Sequence, residues 1–260
     1  MIDSKLISKL RDLTGAGIAD CREALLNCDN EIDKAIEFLR KKGSVKAAKK
    51  AERQTSEGVI AIVSQDKKVA VAGLACETDF VSRNQDFIDT VEDFANYLFK
   101  NGEEKFKLWA ESRIKDELVM KIGENIQLAE FKIFEGEIIG TYLHSNKKIA
   151  SVVILSSGSQ ELAFDLAMQV AAMSPKYLKP EDIPAEIIEK EKEIYQEQLK
   201  VEGRPSEMWE RIIPGKLNKF YQEVCLTKQP FIKEDKKKVE NVIAESGSSI
   251  EILAFHRFQI

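Results

Sequence analysis

The sequence predicts an α+β protein, and three patterns lead to that class. The first 43 residues place apolar side chains at helical spacing. Two stretches offset by 78–80 residues each read as a β-hairpin followed by an amphipathic helix. Residues about 183–222 read as two charged helices around a turn at Gly203-Arg204-Pro205, an antiparallel hairpin that projects from the body.

Each element has its own justification. Leu6, Ile7, Leu10 and Leu13 form an apolar helical stripe that ends at Thr14-Gly15-Ala16-Gly17. A second helix covers about 19–27. Asn30 is the expected cap of a third, which carries Ile32, Ala35, Ile36 and Leu39 on one face and closes at Gly43. Residues 1–43 are therefore expected to form a small three-helix domain. A basic linker, 44–54, follows.

The first hairpin pairs Glu57-Gly58-Val59-Ile60 with a strand entered at Lys67-Lys68-Val69-Ala70. The second pairs Glu135-Gly136-Glu137-Ile138 with one entered at Lys147-Lys148-Ile149-Ala150, with two more residues in its loop. Helices at 85–99 and 161–173 follow them. This repetition suggests two core subdomains, 55–134 and 135–260, that arose by duplication. A charged helical segment, 103–123, lies between. Arg204-Pro205 ends the first helix of the charged pair and Ser206 restarts the second, which Pro214-Gly215 should interrupt. Alternation over 250–258 gives a terminal strand.

Composition narrows the function. Among 260 residues 43% are hydrophobic and 32% charged, with a net charge of −5, which argues against a general nucleic-acid binder. Arg40 to Arg53 holds seven basic residues and one acid, either a solvated connection or a phosphate contact. The four cysteines are scattered with no C-x-x-C pair, the pattern of reduced thiols in a cytoplasmic protein. No targeting signal and no apolar run of membrane-spanning length is evident.

Catalytic motifs are absent from the sequence: no phosphate loop, no G-x-G-x-x-G, no H-E-x-x-H, and only His144 and His256. Glu77 and Asp79 would share a face of a strand, as a divalent-metal pair or as ordinary surface acids. Gly15 and Gly17 could cradle a phosphate or supply a tight turn. His144, in the second hairpin loop, is a solvated residue or a polar contact to a partner. The small-residue helix around Met168 admits close packing of either core or partner. Thr78-Asp79-Phe80-Val81 stands out, since it follows a core strand and precedes the cap candidates Ser82-Arg83-Asn84. Phe80 is either the first core residue of the next helix or a ring held out on a surface connection.

Several segments together resemble the elongation factor Ts family. They are Leu13-Thr14-Gly15-Ala16-Gly17-Ile18-Ala19-Asp20-Cys21, Cys76-Glu77-Thr78-Asp79-Phe80-Val81-Ser82-Arg83-Asn84, Lys121-Ile122-Gly123-Glu124-Asn125, Ala167-Met168-Gln169-Val170-Ala171-Ala172, and Leu217-Asn218-Lys219-Phe220-Tyr221 through Gln229-Pro230-Phe231. The resemblance implies a three-helix N-terminal domain similar to ubiquitin-associated domains, two core subdomains and a protruding helical hairpin. It also implies a nucleotide exchange factor, with no covalent chemistry, no cofactor and no metal of its own. The partner would be elongation factor Tu, GDP-bound and nucleotide-free, with no membrane and no direct nucleic-acid contact. Thr78, Asp79, Phe80 and Val81 match the family's segment that reaches the partner's nucleotide-binding domain and displaces Mg²⁺. Thr14, Gly15, Ile18 and Ala19 match contacts to the same domain, and His144 and Met168 match the region that grips another. Gly73 and Ala75 stand where the family often has Glu and Asn, and Ala19 where it often has a bulkier apolar residue. Two other classes remain open: a binding scaffold, and a carboxylate–metal enzyme at Glu77 and Asp79.

Overall fold

In the computed structural model, which describes residues 3–247 and 249–260, α1 (Ser4–Thr14) starts where the Asp3 carboxylate accepts the Lys5 amide at 2.9 Å. It ends at Gly15, whose φ of +66° returns its N–H to the Arg11 carbonyl, a left-handed cap that glycine adopts without strain. After α2 (Ile18–Asn27), Asp29 and Asn30 both take positive φ. Asn30 therefore completes a turn and is not the cap of α3 (Ile32–Lys50), which Glu31 provides. Leu10, Cys21, Ala24, Leu25, Ala35 and Leu39 close a core that also takes in Met120.

The expected end of α3 at Gly43 is corrected. The helix runs seven residues further, across most of the supposed linker 44–54. Gly43 serves close approach instead. A Cβ there would lie 2.8 Å from Met120 Cγ and 3.0 Å from the Lys115 carbonyl oxygen. Glycine inside a helix costs about 1 kcal/mol relative to alanine, and here it lets α3 pack along residues 114–122. The basic run is partly neutralised, with Lys42 and Lys46 each 2.9 Å from Asp20.

Strands β1 (Glu57–Gln65) and β2 (Lys68–Cys76) pair antiparallel, Glu57 opposite Cys76, around the two-residue turn Asp66-Lys67. A single helical turn, α4 (Asp79–Ser82), precedes α5 (Gln85–Asn101). The latter buries Phe87, Val91, Phe94, Ala95 and Leu98 against the sheet, the amphipathic stripe read from the sequence. Next come α6 (Glu103–Arg113), a π-helical turn (Ile114–Leu118) and α7 (Val119–Ile122). Strand β3 (Gln127–Glu135), which the pattern did not reveal, completes a sheet of order β1-β2-β3. These elements belong to one unit, Met1–Phe134 with Ser145–Ile149 and Phe258–Ile260.

A second unit comprises Glu135–His144 and Ala150–Arg257. Here β4 (Ile138–Leu143) pairs antiparallel with β5 (Ile149–Leu155), and α8 (Gln160–Met173) packs on β4. Gly140 makes that packing possible, because a Cβ there would fall 1.9 Å from the Ala163 carbonyl oxygen. The charged pair is α9 (Ala185–Val201) and α10 (Trp209–Val224), which pack on each other. Pro214 does not interrupt α10. It lies in the exposed part of the helix, where one missing amide leaves a carbonyl that water can serve. A small pair, β6 (Pro230–Phe231) with β7 (Glu234–Lys238), and α11 (Val239–Ser246) lead to β8 (Ile252–Gln259), in a sheet of order β4-β5-β8. Mixed helix and sheet is the predicted class. Among the described residues no helix is long and apolar enough to cross a membrane.

Candidate functional site

Strand β2 delivers the chain to Glu77 and Thr78, and these two residues are gripped from one side. The Glu124 carboxylate accepts the Glu77 amide at 3.0 Å and the Thr78 amide at 3.1 Å on Oε2, and the Thr78 hydroxyl at 2.6 Å on Oε1. In return Glu77 Oε1 accepts the Asn125 amide at 2.6 Å and lies 3.4 Å from the Arg53 guanidinium. Asn125, only 3% exposed, donates through Nδ2 to the Arg53 carbonyl at 2.8 Å. Hydrogen bonds to an ionised carboxylate are the stronger kind, so this clasp ties two segments 46 residues apart.

Thr78 passes that constraint on. Its Oγ1 accepts the Val81 amide at 3.4 Å, the N-cap contact that opens α4. Val81 packs against the first core. Phe80 points out and is 85% exposed, whereas Phe87 is 3% exposed and is the first core aromatic of α5. Of the two readings of Phe80, the outward one holds. Asp79 pairs with Arg83 at 3.2 Å on the same turn. Beside them lies an open cleft of about 850 Å³ lined in part by Glu57, Arg83 and Lys148. The Lys148 ammonium, 2.6 Å from Glu57, holds that carboxyl below its usual range.

The structure separates Glu77 from Asp79: one carboxylate turns to Asn125, the other to Arg83. Among the described residues no group of three or more His, Cys, Asp or Glu is placed to hold a metal ion. Burial, reinforced by the Glu124 and Glu57 charges, pushes the Cys76 thiol up to about 12, far from a reactive thiolate.

The second predicted group lies on the turn between α1 and α2. The Thr14 hydroxyl donates to the Leu10 carbonyl at 2.7 Å and accepts the Ala16 amide at 3.3 Å. Ala16 is buried, while Leu13 and Ile18 are each 59% exposed and Ala19 is also exposed. The Lys121 stem covers Gly15, with its Cγ 3.0 Å from where a Cβ would stand. Residues 120–125 thus put Met120 into the three-helix core, Lys121 on the Gly15 turn and Glu124 on Thr78. Sequence reasoning quoted this segment but gave it no role.

His144 and Met168 belong to the second unit. His144 is exposed at the start of the β4–β5 loop, with Nδ1 3.1 Å from the Tyr142 hydroxyl. Tyr142 meets Phe164 edge-on at 6.0 Å, and Phe164, 44% exposed, is one helical turn before the half-buried Met168. Tyr142 and Phe164 were missed, although the i, i+4 spacing of Phe164 and Met168 marks a shared helix face.

An exposed aromatic on a clasped turn and exposed apolar side chains on a second turn define an α+β protein with a surface suited to docking. The sequence profile described as Elongation factor TS matches residues 77–260. The chain belongs to the elongation factor Ts family, a family of translation elongation factors. It is similar to Elongation factor Ts of Marinobacter nauticus, 41% identical over 100% of this chain and 91% of the relative. Elongation factor Ts of Aquifex aeolicus is 42% identical over 98% of this chain and 96% of its own length, and that of Nitratiruptor sp. is 43% identical over 100% and 93%.

Proposed function

We propose that this chain binds elongation factor Tu, GDP-bound and nucleotide-free, and promotes GDP release and exchange for GTP. No covalent bond is made or broken. The observation that carries this reading is Phe80, a large apolar ring left 85% exposed on a turn whose start is fixed by Glu124. In this reading Phe80 wedges between helices of the partner, and Asp79 disturbs the partner's Mg²⁺ site. GDP is held by backbone amides at a helix N-terminus and by Mg²⁺ shared with its phosphates. Losing a divalent cation beside a diphosphate removes one of the largest local charge interactions. The coupling is reciprocal: GDP weakens binding of this chain by the factor by which this chain weakens GDP.

Thr14, Gly15, Ile18 and Ala19, on a domain similar to ubiquitin-associated domains, contact the same partner domain, and His144 and Met168 grip another. The exposure of Leu13 and Ile18 supports the first contact and the Tyr142–His144–Phe164 group the second. The two subdomains descend from one duplicated unit, which the repeated hairpin and helix support, and the α9–α10 hairpin protrudes. The protein works in the cytoplasm without cofactor, resident metal or direct nucleic-acid contact. The test is release of fluorescently labelled GDP from elongation factor Tu. The wild-type chain should accelerate release, and Asp79→Ala and Phe80→Ala should each slow it; an unchanged rate for Phe80→Ala overturns the wedge.

A further inference from the structure

We propose that Glu124 is a positioning residue for exchange: it sets where Asp79 and Phe80 stand by fixing the start of the turn that carries them. This rests on the proposed function, and the argument runs through hydrogen-bond polarity. An ionised carboxylate only accepts, so the Thr78 hydroxyl, 2.6 Å from Glu124 Oε1, must give it its proton. With its proton committed, Thr78 Oγ1 turns a lone pair to the Val81 amide and caps α4. The other carboxylate oxygen takes the Glu77 and Thr78 amides, which removes the freedom of the chain between β2 and α4.

The Phe80 ring is 85% exposed and belongs to no core cluster among the described residues. Its placement therefore derives from its backbone, which Glu124 fixes at the Thr78 end, while Val81 packing and the Ser82 hydroxyl, donated to the Asp79 carbonyl at 3.2 Å, fix the other end. A wedge depends on placement: an error of about 1 Å in a reacting or positioning group can cost about a hundredfold in rate. The acid is itself held, since the same segment buries Met120 and Asn125.

The experiment compares Glu124→Ala, Glu124→Gln, Phe80→Ala, Asp79→Ala/Phe80→Ala and that pair combined with Glu124→Ala in labelled-GDP release, with amide hydrogen exchange on the same proteins. Glu124→Ala is expected to slow stimulated release roughly ten- to hundredfold. It should speed exchange of the Thr78 and Val81 amides and leave those of Val91 and Phe94 unchanged. Glu124→Gln keeps an acceptor for the two amides and should recover most of the rate. In the Asp79→Ala/Phe80→Ala background Glu124→Ala should add less than about twofold, because residues that act as a unit are not additive. A full slowing where both Asp79 and Phe80 are already truncated would mean Glu124 acts elsewhere and would overturn the proposal. So would a normal rate for Glu124→Ala where Phe80→Ala is slow, which leaves the exchange function standing. If wild-type chain fails to speed release, the function reading fails, yet unchanged Thr78 exchange in Glu124→Ala still refutes the clasp on its own. Should Glu124→Ala not fold, Thr78→Val removes the same relay, and Thr78→Ser should restore it; equal rates for the two overturn the relay.

Discussion

Truncating Phe80 should leave the fold almost as stable as before, while truncating Phe87, seven residues on, should damage it badly. Phe80 is 85% exposed, so about one-seventh of its side chain leaves water on folding. Full burial of such a side chain is worth about 1.5–3 kcal/mol, which puts the cost of Phe80→Ala at about 0.2–0.4 kcal/mol. Phe87 is 3% exposed and faces β1 and β2, and core Phe→Ala substitutions cost about 3–5 kcal/mol. For a unit of this size 1 kcal/mol moves Tm by about 2–4 °C. Phe80→Ala should therefore shift Tm by less than about 2 °C and Phe87→Ala by on the order of 10 °C. Trp109 is the natural probe, since it stacks on Tyr97 at 3.9 Å and touches Phe94 at 4.7 Å within the same core. Trp209→Phe removes the other tryptophan signal, which comes from the second unit. If Phe80→Ala lowers Tm as far as Phe87→Ala, the ring is packed, and the case for an outward wedge collapses.

Three further outcomes test other parts of the molecule. Gly140→Ala places a Cβ 1.9 Å from the Ala163 carbonyl oxygen, so α8 must shift; circular dichroism melts should show a loss of about 3 kcal/mol or more. Burial pushes the Asp20 carboxyl up, but Lys42 and Lys46 outweigh it and hold the carboxyl below its ordinary value. Its stabilisation is present above the unfolded value of 3.8 and is lost as pH falls through the lower folded one. Acid titration of Asp20→Asn should accordingly show a weaker loss of stability below pH 3.8 than wild type. Cys21, Cys76 and Cys225 are buried and Cys28 is half-exposed. Burial also raises the Cys225 thiol to about 11, so a thiol reagent near pH 8 should modify Cys28 first, as peptide mapping would report.

The parts of the fold visible in the sequence are those whose signal is local. Residues 59–63 and 69–75 read as paired strands because every residue in them except Gly73 is apolar, and α5 reads as a helix because Phe87, Val91, Phe94 and Leu98 recur on one face. Asn84 was recognisable as a cap, and it does accept the Asp86 amide at 2.8 Å. Gly43 and Pro214 misled because local rules treat both as terminators. One is needed for contact with Met120, and the other sits where solvent tolerates the lost bond. Strand β3 escaped because only Phe134 along it is buried, which leaves no clean alternation. The outward Phe80 could not be told from a core residue by spacing; its exposure follows from Thr78 and Val81 directing the backbone. Glu124 was the largest omission. A half-buried acid gives no sign in its own neighbourhood that its partners lie 46 and 47 residues upstream.

The unbroken run of α3 past Gly43 has a consequence for association. An eleven-residue flexible tether across 44–54 would let the first helices wander over about 18 Å root-mean-square. A second contact would then form at an effective concentration diluted over that volume. Here α3 is helical to Lys50, and the Ala51 and Arg53 carbonyls are held by Gln127 and Asn125. The α1–α2 turn and the Phe80 turn therefore sit in one compact unit, with no flexible tether between them, for any partner that takes both. The entropy of aligning them is settled when the chain folds, not when it binds.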